Sequence, residues 1–101
     1  MDDWPFDGPR NEATFTVRQI VNGGLPILLV VHEAEDGGWQ FLTGEAFDMG
    51  DAMLVGLEKM VRIDPTLASI AKLPIGWQAT REKVGGPWSI SPQDRSGDEE
   101  A

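Results

Sequence analysis

The chain has 101 residues, 41% hydrophobic and 25% charged, with 17 Asp and Glu against 8 Lys and Arg for a formal charge of −9. That length fits one domain, and zero cysteines with a single histidine exclude disulfides, thiol catalysis, iron–sulfur clusters and zinc sites built on Cys or paired His. Phosphate-backbone binding needs clustered Lys and Arg, and no such cluster is present, so nucleic acid is not an expected partner.

The negative charge is concentrated at the ends. Asp2, Asp3, Asp7 and Glu12 face only Arg10 in residues 1–12, and Asp94, Asp98, Glu99 and Glu100 face only Arg95 in residues 94–101. The expected organisation is an acidic flexible tail over 1–12, to which Trp4 and Phe6 offer anchors, one domain over 13–91, and an acidic disordered tail over 92–101. The longest apolar run, residues 25–31, is far short of the ~20 residues that cross a bilayer. Met1-Asp2-Asp3-Trp4-Pro5 is the opposite of a signal peptide, which points to the cytoplasm and no membrane.

Residues 14–21 are rich in β-branched side chains and read as a strand, with Phe15, Val17 and Val21 on one parity and Gln19 interrupting. Asn22-Gly23-Gly24 is a turn signal, and residues 26–32 form a short apolar run suited to a strand buried on both faces. A polar loop ending in Asp36-Gly37-Gly38 leads to a strand over residues 39–42, which closes a hairpin. Residues 49–62 read as a helix, because Met53, Leu54, Leu57, Met60 and Val61 lie on one face at a period of 3.6. Asp48 is its expected N-cap, and Gly56 lowers its propensity. Asp64-Pro65 opens a second helix, with Asp64 as cap and Pro65 at the first position, and Leu73-Pro74 ends it. Residues 76–81 alternate as a strand, and Trp88-Ser89-Ile90 follows the Gly85-Gly86-Pro87 turn as a last one. The order β-β-β-α-α-β-β predicts an α+β fold: an antiparallel sheet of about five short strands with two helices packed on one face.

Few groupings carry chemistry. His32, Glu33, Glu35 and Asp36 gather an imidazole and three carboxylates, but neighbours in a strand point to opposite faces and the spacing matches no metal motif. Asp48, Asp51 and Asp64 bracket the long helix, where capping accounts for Asp48 and Asp64 more simply than catalysis. The Gly pairs at 23–24, 37–38 and 85–86 suit turns and form no phosphate loop, and no serine stands in a Gly-x-Ser-x-Gly setting. No catalytic residue, metal or cofactor is therefore assigned. Four tryptophans are many for this length. Their principal expected use is core, and the alternative is an aromatic platform of Trp39, Trp77, Arg81 and Trp88, with His32 nearby.

The pattern His32-x3-Asp36-Gly37-x-Trp39-Gln40-Phe41-Leu42-x-Gly44, then Asp64-Pro65-Thr66-Leu67, Leu73-Pro74-x-Gly76-Trp77-x-Ala79-x-Arg81 and Trp88 resembles a family of short uncharacterised bacterial proteins. It covers about residues 14–90, and the family is similar to small immunity-type proteins of bacterial toxin systems. The resemblance implies a bacterial, cytosolic, single-domain protein and assigns no catalytic residue. The resulting expectation is a non-enzymatic domain that binds another protein, a basic one by charge, in an immunity- or antitoxin-like role. The alternative is a small-molecule-binding protein or minor enzyme with a cleft lined by Trp39, Trp77 and Arg81 and with His32 or Asp48 close by. A homodimer through an open sheet edge is a third expectation.

Overall fold

A computed structural model describes residues 4–93. It is a small α+β domain built on one mixed sheet of six strands, with few helices. In chain order the elements are β1 (Ala13–Val17), α1 (Arg18–Val21), β2 (Leu29–His32), β3 (Trp39–Leu42), a 3-10 turn (Met49–Asp51) and β4 (Ala52–Gly56). α2 (Leu57–Ile63), a 3-10 helix (Pro65–Ile70), β5 (Trp77–Thr80) and β6 (Ser89–Pro92) follow. The strand order is β4-β1-β3-β2-β5-β6.

Three expectations need correction. The sheet is not purely antiparallel, because β1 lies parallel to β3 at Phe15 and Gln40. The sheet has six strands rather than about five, because the first half of the expected helix over 49–62 is strand β4, and only Leu57–Ile63 is helical. The cause is an ambiguity of short apolar runs. Residues 52–57 read equally well at a period of 3.6 or of 2, and β1 offers a partner along its whole length, from Ala13 opposite Gly56 to Val17 opposite Ala52. Gly56 then marks the junction, extended at φ −62° and ψ 143°, as the N-cap residue of α2. Third, the strand expected over 14–21 ends at Val17. There the chain turns into α1, held by Asp51, which accepts from Arg18 Nε at 2.8 Å and Gln19 Nε2 at 2.9 Å.

Register sorts the side chains onto two faces. Val30, Phe41 and Ala79 are mutually opposed across β2, β3 and β5, and they join Val55, Leu57, Met60, Leu67 and Ile70 in one buried cluster. This face carries the helices. Thr14 and Thr16 also point into it, and their hydroxyls donate to Val55 O and Phe41 O at 2.7 Å each, which satisfies buried polar groups inside an apolar layer. The other face bears Phe15, Val31, Gln40, Leu54 and Gln78. Phe47 covers part of it, with its ring 5.9 Å from that of Phe15.

Both ends of the domain reach beyond the expected 13–91. Phe6 is buried edge-on against Trp39, with centroids 5.2 Å apart, and Trp4 lies 5.5 Å from Phe6. Arg10 sits over Trp4 and donates to Glu58 Oε2 at 2.6 Å. At the other end Pro92 closes β6, and Gln93 N donates to Gly76 O at 2.7 Å. The remainder of the expected C-terminal tail, residues 94–101, lies outside the described residues.

The helical segment after α2 depends on one buried ion pair. Asp64 accepts from Thr66 N at 3.0 Å, the expected cap with Pro65 following, although the segment is 3-10 rather than α. Its other oxygen accepts from Arg81 Nη2 at 2.6 Å, with the two side chains only 8% and 1% exposed. Arg81 also donates through Nε and Nη2 to Ile27 O and through Nη1 to Thr66 Oγ1. Removing one member of such a pair leaves an uncompensated buried charge, at about 3–5 kcal/mol, a large share of the ~5–15 kcal/mol that holds a domain together. Asp64→Asn keeps the cap acceptor and Arg81→Met keeps most of the bulk. Urea titration is expected to find each of them destabilised by about 3–5 kcal/mol. A loss below about 1 kcal/mol, the scale of an exposed pair, would assign the clasp a minor role.

Candidate functional site

The residues singled out in the sequence fall into two groups. His32, Trp39 and Trp77 form one row, because His32 is opposite Trp39 on β3 and opposite Trp77 on β5. Residues directly opposed share a face of the sheet. The His32 and Trp39 rings stack at 3.9 Å and 12°. Arg81 and Trp88 lie together at the far end of β5, with the guanidinium 4.1 Å from the indole centroid. Four residues of strand, roughly 13 Å, separate Trp77 from Arg81. Trp39, Trp77 and Arg81 thus do not line one cleft.

Each group is held for a structural reason. His32 Nδ1 is 2.7 Å from Leu73 O, and Nε2 is 3.0 Å from Gly37 O. Carbonyl oxygens only accept, so whichever nitrogen carries a proton donates to its own carbonyl, and neither ring nitrogen is turned toward open space. A neutral imidazole keeps one lone pair, and in His32 that lone pair faces a carbonyl oxygen in either tautomer. Arg81 has all three nitrogens engaged, and Trp88 Nε1 donates to Ser69 Oγ at 3.0 Å. Trp39 is core. Trp77 differs: it is 38% exposed.

The carboxylates are similarly occupied. Glu33 accepts from Gln40, and from Gln93 Nε2 at 3.2 Å. Asp36 Oδ1 accepts from Gly38 N at 2.8 Å, which tightens the loop in which Gly37 takes φ +73°. Asp48, expected to cap a long helix, instead precedes the 3-10 turn, and its N–H donates to Asp51 Oδ2 at 3.3 Å. Among the described residues no group of three or more His, Cys, Asp or Glu could hold a metal ion.

A half-open cleft of about 400 Å³ runs beside His32 and Trp39, with Asp7, Glu12, Lys72 and Ile75 also on its walls. Lys72 Nζ donates to Asp7 Oδ1 at 3.0 Å across the cleft wall, in an exposed pair. The larger apolar exposure lies next to it. Ile75 is 58% and Ile90 47% exposed. Ile90 is opposite Ala79, so it stands diagonal to Trp77 on the same face, within reach of an aromatic ring. Ile75 comes close to the β2–β3 loop, its Cδ1 lying 3.6 Å from where a Gly37 Cβ would be. Gly76 N donates to His32 O at 2.7 Å. Trp77 and Ile90 therefore share one face of the sheet, and exposed Ile75, two residues before Trp77, lies by the loop that carries the exposed acids Glu35 and Asp36.

Ile75 and Ile90 were not singled out in the sequence. A signal for Ile75 was present: an apolar residue between Pro74 and Gly76 sits in a turn, where no regular face can bury it. Compared with known family models, curated proteins and solved structures, the chain matches none.

The carboxyl of Asp51 has a lowered affinity for protons. The side-chain hydrogen bond from Gln19 holds its pKa below the ordinary value; burial opposes this, and the Asp48 amide and the Arg18 charge add to the lowering. A lowered folded value means the stabilisation is full above the unfolded value and is lost as pH falls through the folded one. In Asp51→Asn that dependence disappears. The stability gap between wild type and D51N, measured by urea titration, is expected to be constant near neutrality and to shrink below about pH 4. A gap independent of pH from 7 to about 3 would remove Asp51 as the tie between α1 and the 3-10 turn.

Proposed function

We propose that this chain is a non-catalytic protein-binding domain, and that it contacts its partner through Trp77, Ile75 and Ile90 with Glu35 and Asp36 alongside. The observation that carries this reading is an indole left 38% exposed on a strand, diagonal to exposed Ile90 and two residues after exposed Ile75. Solvated apolar groups grouped in this way are characteristic of docking surfaces, and Trp is enriched among residues that dominate binding energy. The flanking carboxylates and the net charge of −9 favour a partner with Lys or Arg around an apolar contact, steered to the site by the field. Masking a basic enzyme, as an immunity- or antitoxin-like protein does, is the concrete form of this role.

A second reading, binding of a small molecule, has the cleft beside His32 in its favour, since about 400 Å³ lies within the range of ligand pockets. The His32 imidazole on its wall has each ring nitrogen facing a carbonyl oxygen, so this reading is one of binding.

Affinity capture at low salt is expected to recover a basic protein, with recovery falling as salt rises. Trp77→Ser and the pair Glu35→Lys, Asp36→Lys are each expected to abolish capture. Trp77 is 38% exposed, so W77S loses some packing, and urea titration alongside capture is expected to find it still folded under the capture conditions. Capture unchanged by both variants would rule out this surface.

A further inference from the structure

We propose that β4 is a self-pairing edge: two copies of the chain associate by antiparallel pairing of Ala52–Gly56 about a two-fold axis at Leu54. This is independent of the Trp77 surface, which lies at the opposite side of the sheet, on β5 and β6.

β4 is one of the two outer strands, and its sequence AMLVG has no charge and no proline. Natural edges are normally blunted by such residues. The other edge, β6, is blunted, ending in Pro92.

The hydrogen-bonding groups on the β4 edge match themselves. The β1–β4 ladder continues to Leu57, whose N–H donates to Glu12 O at 2.8 Å. Bonded pairs alternate along an antiparallel ladder, so Val55 and Met53 turn their backbone groups to β1, while Ala52, Leu54 and Gly56 turn theirs outward. Two of the outward groups are already used. Ala52 N–H donates to Met49 O, and Gly56, as the N-cap residue of α2, gives its carbonyl to the first helical bond. The groups left over are the carbonyl of Ala52, both groups of Leu54 and the N–H of Gly56.

A two-fold axis at Leu54 sets Leu54 opposite its own copy and Gly56 opposite Ala52. Each Leu54 then donates to and accepts from the other, and each Gly56 N–H meets an Ala52 carbonyl. The two groups already used fall opposite each other. No outward group is orphaned and none is asked to bond twice.

The side chains agree with this register. Leu54 is 77% exposed and would cover its own copy, while Ala52 and Gly56 on the same face are too small to obstruct approach. Charge is complementary end to end. Glu45 and Asp48 precede β4, and on α2 just after it Lys59 and Arg62 outnumber Glu58, which pairs with Arg10 and Arg62. Antiparallel pairing sets the acidic end of one strand by the basic end of the other. One strand pair with Leu54 and Met49 covers less than the ~1,200 Å² of a stable interface, so the dimer is concentration-dependent.

Two measurements test this. Light scattering from about 10 µM to 1 mM is expected to rise from 11.1 kDa toward twice that mass, and Leu54→Lys, which sets two like charges on the axis, is expected to remain monomeric throughout. Opposed Cα atoms in a bonded pair are about 5.5 Å apart, within disulfide range, and the chain has no native cysteine. Under copper–phenanthroline oxidation Leu54→Cys is expected to form a covalent dimer at least about tenfold faster than Leu25→Cys, an exposed control position. Equal cross-linking rates, or equal self-association of wild type and L54K, would overturn the proposal.

Discussion

A guanidinium buried to 1% exposure must find a partner for each of its nitrogens, and that requirement organises one end of this domain. Arg81 donates to Asp64, Thr66 and the carbonyl of Ile27, and its flat face lies on Trp88. Asp64 begins the 3-10 helix, Ile27 precedes β2, and Trp88 precedes β6. One side chain thus joins the end of β5 to two segments distant in sequence and to the start of β6. None of them can shift without stranding a charge in a low dielectric, so the cap, the sheet end and the indole behave as a unit. The Asp51 clasp does the same on a smaller scale, fixing the place where the chain leaves β1 for α1.

These clasps account for the surface that remains. Several polar side chains are bound into the fold: Asp64 to Arg81 and Thr66, Asp51 to Arg18 and Gln19, and Glu33 to two glutamines, while each His32 nitrogen faces a carbonyl oxygen. Among the side chains that face solvent are several large apolar ones, including Trp77, Ile75 and Ile90 toward one side of the sheet and Leu54 and Met49 at the other. The exposed apolar groups around Trp77 are the physical basis of the proposed role.

Much of the fold was legible where local chemistry leaves one choice. The hairpin strand at residues 39–42 and the strand at 76–81 are bounded by glycine turns and contain residues that pack on a pleated surface. Asp64-Pro65-Thr66 admits little besides a helical start. The stretch 52–56 has no such constraint, since its apolar residues satisfy helix and strand periods alike, and an available neighbour, β1, decided it. Parallel pairing of β1 with β3 was illegible for a related reason: the sequence records which residues favour strands but not which strands will be neighbours. Of the residues singled out for a site, Trp77 remained exposed. Trp39 and Arg81 went to the interior because Phe6 and Asp64 were there to pair with them.

From the sequence alone came the single α+β body, the absence of cysteine chemistry, the acidic charge and the capping role of Asp64, because each depends on composition or on residues within a few positions of one another. Tertiary structure decided the strand identity of β4, the burial of Arg81, the surroundings of His32 and which edge was left bare. Those depend on contacts across 30 or more residues of chain, such as Thr14 with Val55 and Arg81 with Ile27. Such contacts exist only once the chain has closed on itself.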